Sequence, residues 1–119
     1  MVSLTIVGVK YSEFPRRYVD MTAGSVIEAL SDPTRRQIVT LLSAGPRRAG
    51  ELSAEIGVSP PALSRHLRAL LAASVISDER LDYDARARVF RLRPQSIVTV
   101  RTWLDQLLSA TAQIEIDRR

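Results

Sequence analysis

The sequence contains no cysteine, which removes disulfides and thiolate metal sites together. Histidine occurs once, at His66, without a carboxylate partner evident in the sequence, and there is no glycine-rich phosphate loop or nucleophile motif. An enzyme therefore has nothing in the sequence to carry it. Aromatic residues make up only 5% of the chain, a composition that suits a small helical protein. No apolar run reaches membrane-spanning length, and the start lacks a basic region followed by an apolar segment and a small-residue cleavage site. The expectation is a soluble cytoplasmic protein, with no membrane contact and no cofactor. Lysine is confined to Lys10, and every other cationic side chain is arginine.

The 119 residues fit one domain, with 45% hydrophobic residues for a core but little length for a deep enzymatic pocket. A net charge of +4 and a pI near 10.3 favour a polyanionic partner.

The most informative stretch runs from Ala49 to Ala73. Ala49, Leu52 and Ile56 recur at spacings of three and four, the period of one helix face. Gly57 supplies the left-handed residue that closes a helix cheaply, Val58 fills a short turn, and Ser59 is placed to cap the next helix. Pro60 follows at the first helical position, where a missing N–H costs little. In this second helix Leu63, Leu67, Leu70 and Leu71 share one stripe. Pro61, Arg65 and Arg68 fall on the opposite face, flanked by Ser64 and His66. Two helices joined by a tight glycine turn, the second apolar on one side and cationic on the other, form the helix-turn-helix that enters the DNA major groove. The competing reading is a helical hairpin with a solvated face.

Ahead of it, residues 1–20 read as an extended arm, partly disordered or packed on the domain or on a second subunit. Val2, Leu4 and Ile6 alternate as in a strand before Pro15, Arg16 and Arg17 end the pattern. A short helix is expected over 22–30, with Val26, Ile27 and Leu30 on one face. Asp32-Pro33 opens a further helix bearing Ile38, Leu41 and Leu42, which Gly45-Pro46 stops. Arg35 and Arg36 fall in its first turn, where the dipole disfavours cations, so solvation or an outside phosphate must offset them.

Beyond Ser74 the period changes. Val75 and Ile76 lead into one strand and Val89, Phe90 and Leu92 mark another, joined by a turn over residues 81–85. A hairpin directly after such a helix is a wing, in which Arg86 and Arg88 are candidates to reach phosphates or the minor groove. Asp78, Glu79, Asp82 and Asp84 oppose this unless they pair with neighbouring arginines. Pro94 precedes a last helix over 95–113. Ile97, Val100, Leu104, Leu107, Leu108 and Thr111 trace its apolar stripe, Trp103 widens it, and Ile114 and Ile116 prolong it. So much apolar surface predicts a homodimer seam shared with the helix before Asp32, from Val26, Ile27, Leu30, Val100, Trp103, Leu104, Leu107, Leu108 and Thr111.

The runs ALSDPTRRQIVTLL, ELSAEIGVSPPALSRHLRALLAASVI and VFRLRP together resemble the ArsR/SmtB family of bacterial winged-helix transcription regulators, over about residues 25–110. The resemblance implies a mainly α fold with a small β-hairpin, in the order α-α-α-α-β-β-α. It implies a homodimer through the first and last helices, with residues 21–113 as the DNA-binding and dimerisation domain and 114–119 as a tail. Double-stranded operator DNA, as an imperfect palindrome, is the implied partner, and most members are repressors released by a metal ion or another signal. By position, Pro60, Pro61, Ser64 and Arg65 would read bases, supported by Ser59 and His66. Arg65 can donate two parallel bonds to guanine and the prolines can meet a thymine methyl. The family's metal sites need cysteines, or histidines on the last helix, and this chain has neither there. No high-affinity zinc, nickel or copper site is expected, which leaves a small molecule, a partner protein or the protein's own concentration as the signal. The other class open to this fold is a protein-association module whose arginines at 65, 68, 86 and 88 meet an acidic partner.

Overall fold

A computed structural model describes residues 5–6, 9–10, 16–81 and 84–118, with side chains over 23–81 and 87–118. Strands β1 (Thr5–Ile6) and β2 (Val9–Lys10) pair antiparallel near the start. Helices α1 (Arg16–Ala29) and α2 (Pro33–Ser43) lead to a two-residue strand β3 (Arg47–Arg48), then to α3 (Ala49–Ile56) and α4 (Pro60–Ala72). Strands β4 (Ile76–Leu81) and β5 (Asp84–Leu92) form the hairpin, and α5 (Pro94–Asp117) closes the chain.

Asp32 starts α2 as the sequence predicts. Its Oδ1 accepts from the Thr34 and Arg35 amides at 2.8 and 3.1 Å, with Pro33 in the first turn. The two arginines behind it, Arg36 exposed to solvent, are also held by main-chain carbonyls. Arg35 Nε donates to the Ala29 carbonyl at 2.6 Å and Arg36 Nη1 to the Leu30 carbonyl at 2.9 Å. The negative end of α1 thereby receives the two cations that the positive end of α2 disfavours.

The end of α4 is closed by a six-residue loop-back. Ser74 adopts φ 57°, Val75 N–H donates to the Leu70 carbonyl at 3.0 Å, and Ser74 N–H donates to the Leu71 carbonyl at 3.0 Å. This is the Schellman arrangement, with fully buried Val75 and Leu70 as its apolar pair. It turns the chain directly into β4.

The three-stranded sheet has the order β3-β5-β4, so β5 is bonded on both edges. Strand β3 was not anticipated, since two arginines after Gly45-Pro46 carry no β signature of their own. The hairpin turn is also tighter than expected: Leu81 pairs with Asp84, and a bulge falls between Arg80 and Leu81. Leu81, Asp84 and Ala85 therefore lie in strands, while residues 82–83 fall outside the described residues.

The core is built where four helices and the sheet meet. Ile38, Leu42, Leu52, Leu63, Leu67, Leu70, Val75, Ile76 and Phe90 are buried there together with Val26. Val26 is thus already enclosed within its own protomer and is not free to supply a seam, because the α1 face bearing it turns inward. Leu30 and Val100 pack partly against the same core, and Trp103 is half-buried.

Both end helices are longer than predicted. Helix α1 begins at Arg16, so 16–20 is helical rather than extended arm. Helix α5 runs to Asp117, so Ile114 to Asp117 belong to the helix rather than to a tail. The distal half of α5 stands away from the rest. Every residue from Leu107 to Arg118 is exposed. No helix among the described residues is long and apolar enough to cross a membrane.

Candidate nucleic-acid interface

The turn between α3 and α4 forms as its residues demand. Gly57 takes φ 79°, Ser53 Oγ donates to the Val58 carbonyl at 2.6 Å, and Ser59 Oγ accepts from the Ala62 amide at 3.3 Å. Ser59 is therefore engaged as the cap of α4. With Leu63, Leu67 and Leu70 sunk in the core, the opposite side of α4 must face out. Pro60, Pro61, Ser64, Arg65 and Arg68 are all exposed. Among the described residues neither Arg65 nor Arg68 has an intramolecular partner. Two guanidinium forks without internal acceptors, on the outward face of a rigidly seated helix, are donors available to another molecule.

His66 is not part of that stripe. It is half-buried, and its Nδ1 lies 3.9 Å from Asp32 Oδ1, too far for a hydrogen bond. It turns toward the start of α2 because residue 66 lies beside the buried Leu63-Leu67-Leu70 side of α4. Asp32 itself is held below the ordinary carboxylate value, chiefly by the Arg35 amide, then by the Thr34 amide and the nearby His66 and Arg35, against a partial loss of solvation.

Among the described residues the wing carries two cross-strand ion pairs. Both Arg88 Nε, at 3.0 Å, and Arg88 Nη2 donate to Asp78 Oδ2, and the guanidinium lies 5.1 Å from the Phe90 ring centroid. Arg91 meets Glu79 through Nε at 2.9 Å and Nη2 at 2.7 Å. Two of the four acidic residues that argued against a DNA-touching wing, Asp78 and Glu79, thus take up these arginines as cross-strand pairs, while the side chains of Asp82 and Asp84 lie outside the described residues. Arg88 is consequently a poor candidate for a phosphate contact. The side chain of Arg86 lies outside the described residues.

Between α4, the start of α3 and β5 runs a groove of about 570 Å³ that brings Arg48, Arg68 and Arg88 together with Ser64 and Gly50. Arg48 and the α3 N-terminus were missed from the sequence. The available signal was the pair Arg47-Arg48 immediately ahead of a helix start. Among the described residues there is no group of three or more histidine, aspartate or glutamate side chains that could hold a metal ion.

A glycine-turned helix pair, an outward cationic stripe on the second helix and a three-stranded sheet ending in a hairpin define a winged helix-turn-helix protein. Residues 32–78 match the profile of the bacterial regulatory protein arsR family. The HTH-type transcriptional regulator Rv2034 of Mycobacterium tuberculosis (strain ATCC 25618 / H37Rv) is 40% identical over 79 residues, 66% of this chain and 71% of its own. The transcriptional repressor SdpR of Bacillus subtilis (strain 168) is 46% identical over 56 residues, 47% of this chain and 62% of its own. Among solved structures, an ArsR-like transcriptional regulator from Rhodococcus sp. RHA1 superposes with a TM-score of 0.62 at 30% identity, covering 80% of this chain and 93% of that one. The chain belongs to the ArsR family of bacterial transcriptional regulators.

Proposed function

We propose that this regulator acts as a homodimeric repressor, seating two copies of α4 in successive major grooves of a palindromic operator, with no catalytic role of its own. The observation that carries the reading is the exposed stripe Pro61, Ser64, Arg65 and Arg68 set against a leucine face fixed in the core. Arg65 would read guanine through two parallel donors, Ser64 a base edge or a phosphate, and Pro60 and Pro61 a thymine methyl. Arg68 and Arg48, with the amides opening α3, would hold the adjacent backbone phosphates. Ser59 as the cap of α4, His66 beside the start of α2 and Arg88 through its pair with Asp78 would support this surface rather than touch DNA. Repression, rather than activation, accords with the similarity to SdpR. The domain doing this extends from α1 through α5, with the β1–β2 hairpin appended, and acts in the cytoplasm where its operator lies.

Dimerisation would use Ile27, Leu104, Leu107, Leu108 and Thr111, which a lone protomer leaves exposed. Fluorescence anisotropy on the promoter of the protein's own gene tests the whole reading. Specific binding at nanomolar protein should fall steeply with salt as phosphate contacts release counterions. Equal affinity for promoter and random DNA would overturn it. The releasing signal is a small molecule or a partner protein rather than a transition metal, since no cysteine or second histidine exists to ligate one.

A further inference from the structure

Beyond the DNA-facing stripe, a second hollow of about 230 Å³ lies between α1, the end of α4 and the start of α5. Its polar lining is Ser25, Ser74, Arg93, Gln95, Ser96 and Thr99. Ser96 and Thr99 are 7% and 4% exposed. Each donates its hydroxyl proton to its own helix, to the Arg93 carbonyl at 2.7 Å and the Gln95 carbonyl at 2.9 Å, so their lone pairs remain to accept. Among the described residues the side chains of Ser25, Ser74, Arg93 and Gln95 have no intramolecular partner. Val26, Ala72 and Ala73 supply the apolar part of the wall.

The hollow is therefore a polar cleft on the α5 face that packs against α1 and α4, with each buried hydroxyl returned to a carbonyl of its own helix start. Helix α5 buries Ser96, Thr99 and Thr102, while Leu104, Leu107 and Leu108 stay exposed. Among the described residues the hollow offers one guanidinium fork, one carboxamide and four hydroxyls around a small apolar surface, with Ser25, Ser74 and Arg93 exposed at its mouth.

We propose that this hollow is the effector site of the regulator and takes a small hydroxylated organic acid of about three to six carbons. The carboxylate would meet Arg93 in a two-bond fork, and the hydroxyls would exchange hydrogen bonds with the serines, Thr99 and Gln95. The volume equals the liquid share of about seven or eight waters, which sets the size. The proposal rests on the operator-binding reading above. The occupant touches Ala72, Ala73 and Ser74, where α4 closes, and also α1 and α5, which carry the surfaces assigned to dimerisation. Binding therefore bears on how far apart two copies of α4 are held. Coupling of this kind changes operator affinity about 5- to 150-fold.

The test is titration calorimetry of the full chain with glycerate, tartrate and gluconate, beside propionate, glycerol and sorbitol, followed by operator binding with and without each. The expected result is one site per protomer for a hydroxy acid, no binding of the plain acid or the polyols, and a change of operator affinity in the stated range. Arg93→Gln should weaken the acid at least tenfold with an unchanged circular dichroism spectrum and thermal midpoint. Thr99→Val should erase the preference over propionate. Absence of binding by every hydroxy acid, or binding undiminished by Arg93→Gln, would overturn the site. Acid binding that leaves operator affinity unchanged would overturn the effector role alone, whereas an unliganded protein that selects no operator removes the regulator reading itself.

Discussion

Replacing Leu108 with glutamate isolates the contribution of the dimer seam. Leu108 is 68% exposed in the protomer, and Ile27, Leu104 and Leu107 are 38%, 47% and 48% exposed. Together they leave the equivalent of about two whole apolar side chains uncovered per protomer. Full burial of a leucine is worth about 1.5–3 kcal/mol, so Leu108 contributes about 1–2 kcal/mol per copy. A two-fold seam counts it twice, giving about 2–4 kcal/mol before any cost of desolvating two carboxylates. At 1.4 kcal/mol per tenfold, the dimer should weaken by roughly 30- to 1000-fold. The protomer core does not include Leu108, so helicity and the monomer's cooperative unfolding should persist. Sedimentation equilibrium across a concentration series reads the dissociation constant directly, and anisotropy on the operator reads its consequence. An unchanged dissociation constant for Leu108→Glu would refute the assignment of the seam to this stripe.

Arg65→Ala should cost about 1–3 kcal/mol on the operator and relax preference at one base step, read by anisotropy on single-base operator variants. Arg88→Ala should instead leave operator binding within a few-fold and lower stability by about 0.2–1 kcal/mol, because its partner is Asp78 across the hairpin. Ser74→Gly should raise the thermal midpoint, since relief of about 1–2 kcal/mol of left-handed strain outweighs about 0.4–1 kcal/mol of added unfolded-chain entropy. Asp32 has a native pKa below its unfolded value, so its stabilisation is fully present above the unfolded carboxylate value of about 3.9 and is lost as pH falls through the lower native value. Asp32→Asn should therefore melt lower than the parent at pH 6, with the gap narrowing below about pH 4; a gap constant down to pH 2.5 would contradict the cap's role.

Much of this architecture is written in local residue chemistry. Gly57, Ser59 and Pro60 fix the turn and the start of α4, and Asp32-Pro33 fixes the start of α2, because caps and left-handed turns depend on near neighbours. Strand β3 escaped notice because it exists only through pairing of Arg47 and Arg48 with Phe90 and Val89, a contact made across more than forty positions of chain. The same holds for the side chains. Arg88 reads as a free cation in sequence, and only the hairpin register brings Asp78 diagonally opposite to it. Likewise Val26 and Ile27 are adjacent apolar residues of one pattern, yet the packing of α1 encloses one and exposes the other. Arg35 and Arg36 posed an electrostatic puzzle whose answer, the carbonyl end of the preceding helix, depends on the sharp elbow between α1 and α2.

Strand β5 is paired on one edge with β4, its partner in the wing, and on the other with β3, and β3 passes into α3 with no intervening residue. The wing is thereby tied through β3 to the first helix of the helix-turn-helix, and the shared leucine core ties that helix to α4. Whatever releases this regulator from its operator is thus expected to work by re-spacing the two winged units of the proposed dimer rather than by separating a wing from its own helix-turn-helix.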